Sequence, residues 1–337
     1  MNGNLTCLRD PIDSGEIVTA KEGLISAGGR HYPVIRGIPR FVGAGNYSDD
    51  FGAKWNKFPK TQLDSFTGLD VSEVRLARCL QGNLTQLKGK KVLEAGSGAG
   101  RFTEILLKHG ALLHSFDYSN AVEANAQNNG GHADLVLVQA DIRKIPFPKG
   151  SYDYVVCLGV LQHTPDPEES IRCLLEMVAP GGALVIDHYP WKWRFDLPPP
   201  FGESIAIYRR LILALPKSRR FKWVKAITDF WFPWHWRFRD SLFAQRVLRR
   251  VSPVLFYYPE IKLPDERAHY EWSLLDTHDA TTDFYKHRRT PGQIRKVLEG
   301  FGATEVVVRP GGNGVEAFCR KVDAKSDASG IGSKDHG

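Results

Sequence analysis

Three carboxylates and a run of glycines carry the first chemical signal in this 337-residue chain. The stretch KVLEAGSGAGRF places Glu94 just ahead of a turn containing Gly96, Gly98 and Gly100, and a helical pattern, RFTEILLKHG, takes over. Glycine at alternate positions lets the backbone turn sharply and lie against a ligand where a Cβ would collide. A helix starting there offers unpaired N–H groups and the positive end of its dipole. Asp117 ends the apolar run ALLHSFD, 19 positions after Gly98. That is close to the ~20-residue spacing at which a carboxylate takes a ribose hydroxyl pair. Asp141 and Ile142 follow DLVLVQ; a carboxylate beside an apolar residue can accept from an adenine amino group and pack on its ring. His163 lies in CLGVLQHTPDP, and LLDTHDATTDFYKHRRT packs Asp276, His278, Asp279, Asp283, Tyr285, His287 and Arg288 into 13 positions. Groups of these types move protons at a reacting centre.

The elements that must position them alternate. From Gly89 to Asp187 the pattern is strand, helix, strand, helix, which implies a parallel sheet covered on both faces. Glu94, Asp117 and Asp141 then fall at the C-terminal ends of three successive strands, the edge at which open α/β sheets bind ligands. The turn itself would suit a dinucleotide or S-adenosylmethionine. A dinucleotide fingerprint wants glycine where Arg101 stands, and Glu94 suits an ammonium group better than a pyrophosphate. Beyond the fifth strand the segment from His188 to about Thr290 reads as a mostly helical insertion. TPGQIRKVLEGFGA then reads as a capped helix and TEVVVRPGGNGVEAFCRK as an antiparallel hairpin. Ahead of the sheet, Leu5 to Val42 reads as short strands and SEVRLARCLQGNL as a helix. Tyr47, Phe51, Trp55 and Phe58 are candidates for a lid, with plain core packing as the other reading.

Composition narrows the classes. Five cysteines are scattered and never in C-x-x-C spacing, which speaks for a reducing compartment and against a disulfide framework or a cysteine zinc site. No metal is expected. The N-terminus lacks the pattern of a secretory signal, and no apolar stretch approaches the ~20 residues of a spanning helix. A cytoplasmic protein is expected, with a membrane-peripheral location as an extension of that. Between His188 and Glu260 there are 14 Lys+Arg against 5 Asp+Glu, and six of the eight tryptophans sit there. Four readings stay open for this segment: an acceptor pocket with positive rims, contact with an anionic membrane surface, a grip on nucleic acid, or a helical cap whose tryptophans are core.

The run E-A-G-S-G-A-G, the acidic residues in their order and the PGG turn at Pro180-Gly181-Gly182 resemble class I S-adenosylmethionine-dependent methyltransferases over roughly residues 89–187. The ending LLDTHDATTDFYKH resembles the methyltransferase type 11 group, and YPV-x-x-GIP resembles a Trm112-like domain stripped of its zinc cysteines. The resemblance implies an α/β fold with a Rossmann-like seven-stranded sheet, a small N-terminal β-rich domain and a helical insertion after the fifth strand. The implied divisions are 1–45, 46–88 (lid or linker), 89–187 (cofactor core), 188–289 (acceptor-side insertion), 290–322 (closing helix and hairpin) and 323–337 (disordered tail). It also implies that Glu94, Gly96, Ser97, Gly98, Phe102, Asp117, Tyr118, Asp141, Ile142 and Leu158 hold S-adenosylmethionine. His163, His278 and Asp276 are the candidate catalytic groups. The loop CLGVLQH lacks the [D/N]-P-P-[Y/F] run that marks methylation of exocyclic base amines, so O-methylation of a small molecule, sugar or lipid-linked glycan precursor is the expected activity. RNA methylation and a non-catalytic interaction protein are the alternatives, with nucleic acid the less favoured partner.

Overall fold

The computed structural model describes residues 5–43, 52, 55–192 and 204–323. Tyr47, Phe51, Trp193 and the tail 324–337 lie outside the described residues. The N-terminal strands are short: β1 (Ile17–Ala20), β2 (Gly23–Ser26) and β3 (His31–Tyr32) form one antiparallel sheet, β4 (Val34–Ile35) and β5 (Ile38–Pro39) another. Two helices, α1 (Asp64–Thr67) and α2 (Val71–Cys79), lead into the main sheet.

That sheet alternates as its apolar pattern requires: β6 (Lys91–Ala95), α3 (Arg101–Lys108), β7 (Leu112–Asp117), α4 (Val122–Asn129), β8 (Leu135–Gln139), β9 (Tyr152–Cys157), α5 (Pro167–Met177) and β10 (Val178–His188). Neighbouring strand residues point to opposite faces. Leu93, Val155 and Leu184 pack into one core, and Val92, Val156 and Val185 into another on the far side. Both faces must therefore be roofed by helices. A hairpin, β11 (Ala303–Gly311) and β12 (Gly314–Lys321), closes the edge, giving seven strands in the order β11-β12-β10-β9-β6-β7-β8 with β12 antiparallel to both neighbours. The fold class expected from the sequence is the one observed. Helix starts are chemically marked: Asp166 caps α5 ahead of Pro167, and Thr290 with Gln293 forms a capping box on α10 (Pro291–Gly300), which satisfies orphan backbone donors.

Pro180-Gly181-Gly182 departs from expectation. It is not a turn before the fifth strand but lies inside β10, where the pairing with β9 shifts between Val178 and Ala183 and Gly181 takes φ +75°.

The insertion comprises α6 (Ile205–Leu213), α7 (Lys217–Arg237), α8 (Leu242–Val251) and α9 (Glu266–Thr282), gathered on a small core of Ile212, Val224 and Leu274. The acidic, histidine-rich stretch near Asp276 is thus mostly helix. The tryptophans are not simply core: Trp191, Trp223 and Trp234 are about half exposed, at 48%, 51% and 49%. No helix among the described residues is long and apolar enough to cross a membrane.

One buried carboxylate braces the sheet edge. Glu94, at the end of β6, accepts from Thr103 Oγ1 of α3 at 2.6 Å and from Ser115 Oγ of β7 at 2.7 Å. Burial pushes its carboxyl from the usual 4.5 up to about 7, against those two hydrogen bonds. Because the folded state holds this proton more tightly than the unfolded chain, the contribution is fully present below about pH 4.5 and is lost as pH rises through about 7. The stability difference between wild type and Glu94→Gln, measured by chemical denaturation, is expected to move against wild type over that window by on the order of 3 kcal/mol. A difference that stays flat with pH would contradict this.

Candidate active site

A cavity of about 1130 Å³ opens at the C-terminal edge of the parallel strands, between the sheet and the helical insertion. Its floor is the glycine turn after β6. Gly96 sits at φ +79°, and a Cβ there would lie 2.2 Å from Val160 Cγ2. Gly98, at φ +53°, faces the Trp55 ring, which a Cβ would meet at 3.6 Å. Trp55 therefore covers the turn, whereas Phe58 packs away from it on Phe221 of α7.

Asp117 ties the second strand to this turn. Its Oδ2 accepts from the Gly98 N–H at 2.9 Å, and its Oδ1 accepts from the Ser119 N–H and hydroxyl at 2.8 and 2.7 Å. Tyr118, Phe102, Ile142 and Leu158 line the same cavity, and so does Asp141, whose carboxylate accepts from Arg143 Nη2 at 2.7 Å. Nine of the ten expected cofactor residues are thus brought together. The tenth, Glu94, does not reach the cavity: both of its hydroxyl donors hold it beneath the turn, where it braces the floor.

The cavity has polar groups waiting for a ligand. Ser97 Oγ and both amide atoms of Gln162 are buried on its wall with no hydrogen-bond partner. Each such atom costs ~1–3 kcal/mol unless a ligand satisfies it. Arg101, deep in the cleft, donates to the neutral oxygens of Gln62 (2.8 Å) and Ser72 (3.1 Å), and burial lowers its pKa to about 10. Arg75 pairs with Asp187, which also accepts from the Gly159 N–H at 2.6 Å. Gln62, Arg75, Arg101, Gln162 and Asp187 were not singled out from the sequence. Arg101 alone carried a signal, as the non-glycine that ends the glycine run.

The opposite wall is one face of α9. Trp272, Asp276, Asp279, Ala280 and Asp283 line the cavity, a spacing that keeps side chains in one row of a helix and its cap. Asp276 is committed to holding that wall, accepting from Gln62 Nε2 at 2.9 Å and Trp272 Nε1 at 3.0 Å. His278 is two residues on and so faces the other way. Its Nδ1 lies 3.3 Å from Thr282 Oγ1 and its ring packs on Phe221. His278, expected as a base, does not line the cavity.

His163 does. It ends a short turn after β9, with Nδ1 3.5 Å from Asp283 Oδ2 and 3.3 Å from the Tyr285 carbonyl, and its ring meets Tyr189 edge-on. Burial alone would raise the Asp283 carboxyl. The nearby His163 ring and the charges of Lys286, His163 and Arg209 outweigh it and hold the group below the usual carboxylate range. Arg209 Nε of α6 donates to Asp283 Oδ1 at 2.9 Å. The Tyr285 carbonyl and the ionised Asp283 carboxylate both face Nδ1 and so favour the tautomer with its proton there. Asp283 was seen in the sequence only as one member of a crowded stretch. Among the described residues no group of three or more His, Cys, Asp or Glu could hold a metal ion.

Residues 93–186 match the family described as "Methyltransferase domain". A ubiquinone biosynthesis O-methyltransferase from Coxiella burnetii is 33% identical over 116 residues, covering 34% of this chain and 49% of that protein. Its namesake from Pseudomonas fluorescens is 36% identical over 102 residues, covering 29% and 44%. The chain thus spans about half the length of these relatives. Among solved structures, an S-adenosylmethionine dependent methyltransferase from Mesorhizobium loti aligns over 74% of this chain and 98% of its own at 16% identity and a TM-score of 0.42. With the matched segment running from β6 to β10 across the glycine turn, residues 93–186 of the chain form a methyltransferase domain.

Proposed function

We propose that this protein methylates a hydroxyl group of a small molecule, sugar or lipid-linked glycan precursor. The observation that carries the reading is the His163–Asp283 pair on the wall of the cavity floored by the glycine turn. The names of the relatives, which are O-methyltransferases, support the same class.

Asp117 would take the ribose hydroxyls and Asp141 with Ile142 the adenine. Gln62 and Arg101 would meet the carboxylate end, and Ser97 and Gln162 would gain the partners they lack. S-adenosylmethionine supplies, when bound, a methyl group on a positively charged sulfur that is already a good leaving group. What remains for the chain is alignment, exclusion of water and one proton. A neutral hydroxyl attacks poorly until that proton is shared. His163, held at Nδ1 by the Tyr285 carbonyl, receives it at the other ring nitrogen as the oxygen attacks, and Asp283 close by balances the charge that forms. Trp55 and Trp272 close the cavity from two sides.

Calorimetric titration with S-adenosylmethionine and S-adenosylhomocysteine is expected to show binding that Asp117→Ala weakens at least about tenfold, the scale of losing one to two hydrogen bonds to a charged group. Unaltered affinity in the variant would remove Asp117 from the site. Turnover, read as S-adenosylhomocysteine formed with phosphorylated sugars and lipid-linked glycans as acceptors, is expected to fall by roughly 10²–10⁴ in His163→Ala while cofactor affinity is kept. A His163→Ala enzyme with full turnover would end the base assignment.

A further inference from the structure

Helix α8 is built with its polar side inward. Gln245, 3% exposed, donates to the carbonyls of His235 (2.9 Å) and Phe238 (3.1 Å), and its Oε1 lies 2.8 Å from His235 Nδ1. The outward side carries Leu242, Phe243, Val247 and Val251, exposed at 71%, 76%, 50% and 48%, with Arg246 and Arg250 exposed between them. Water rewards the reverse arrangement. Helix α6 repeats the theme with Ile207 and Leu211 exposed beside Arg210. Helix α7 carries Trp223, Phe230 and Trp234 in one exposed row that Arg219 and Arg237 extend at its ends.

The helices that carry these rows also border the cavity. Ile205 of α6 and Arg249 of α8 line it from their other sides, and Phe284, 66% exposed, sits at its edge. From Ser204 to Glu260 there are 12 Lys+Arg against 3 Asp+Glu. Apolar side chains interleaved with arginines suit an interface that is oily below and negatively charged above. A second copy of the chain suits it less, since a two-fold contact would bring Arg246 and Arg250 of both copies together.

We propose that this face seats the protein on an anionic lipid bilayer, with the cavity drawing its acceptor from the lipid surface. The acceptor half of the statement rests on the O-methylation reading; the seating does not. Bound at the surface, α8 buries its apolar row among acyl chains while Arg246 and Arg250 reach back to the headgroups.

The test is co-sedimentation of the full chain with phosphatidylcholine vesicles made with and without phosphatidylglycerol, in the absence of cofactor and acceptor. Binding is expected on the anionic vesicles, falling as salt is raised, and weak on the neutral ones. Leu242→Ser with Phe243→Ser is expected to lose about a hundredfold in vesicle affinity, about tenfold for each side chain. An unchanged far-ultraviolet circular dichroism spectrum and cooperative thermal unfolding of the same variant verify that it is folded. The proposal fails if the folded variant binds vesicles as wild type does, or if charge and salt make no difference. It fails as well if wild type ignores vesicles and instead forms a dimer, or binds RNA, through these residues. Because no cofactor is present, loss of vesicle binding leaves the methyltransferase reading standing, and failure to bind S-adenosylmethionine leaves the seating untouched.

Discussion

At Gly96 the backbone passes so close to Val160 that a Cβ would lie 2.2 Å from its Cγ2, and the rest of the cleft is arranged around that approach. Gly100 is pressed from the other side, where a Cβ would sit 2.3 Å from Asn129 Nδ2 and 2.4 Å from Asn125 Oδ1. The turn is therefore clamped between the loop after β9 and helix α4. Asp117 fastens it to β7 through the Gly98 N–H, and Glu94 fastens β6 to α3 and β7 from below. The ends of three strands are fixed against one another before any ligand arrives, which lowers the ordering cost of binding. Any larger side chain at these glycines would move the floor, not merely crowd the ligand.

The charges above that floor are held in the same spirit. Asp187 sits between Arg75 and the Gly159 N–H, so the last strand of the parallel set is bonded to the loop that leads to His163. Asp283 ends α9, takes Arg209 from α6 and faces His163 and Lys286. Burial lowers the Lys286 pKa, and the adjacent carboxylate opposes that shift. A buried carboxylate among three cationic or protonatable groups stays ionised where an isolated one would not. The insertion and the sheet are thus joined through the group that faces the imidazole, so the proposed proton transfer and the docking of the insertion share a contact.

How much of this could be read from the sequence depends on how each residue is placed. The turn and the strand-end carboxylates were legible because strand period and glycine spacing fix position directly: Gly96, Gly98, Asp117 and Asp141 needed no tertiary knowledge. Arg75 and Gln62 were not, since a polar residue in a helix or turn does not announce which neighbour it will meet. Choosing between His278 and Asp283 was within reach. Once the stretch is a helix, Trp272, Asp276, Asp279 and Asp283 share a face and His278 does not, but weighing the stretch by the density of its polar residues alone hid that periodicity. The bulge in β10 escaped because Pro-Gly-Gly is also a common turn, and only pairing with β9 shows the strand running through it.

Helix α7 shows why periodicity failed for the insertion, and α8 shows what replaced it. On α7 the buried residues Val224, Thr228, Phe232 and His235 lie opposite the exposed row of Trp223, Phe230 and Trp234, so apolar side chains occupy two faces and no single stripe emerges. On α8 a stripe does emerge, and burying it would be the natural expectation. The rotation of α8 is set by Gln245 instead. Turning the helix to hide Leu242 and Phe243 would strip Gln245 of two carbonyl acceptors and His235 of its Gln245 partner, leaving His235 with Ser252 Oγ at 3.0 Å. Buried polar groups left unpaired cost ~1–3 kcal/mol each, comparable to what burying one apolar side chain returns. Hydrogen bonding inside the insertion therefore holds the apolar row outward as a built feature of the folded chain. The environment that makes that arrangement favourable has to come from outside it.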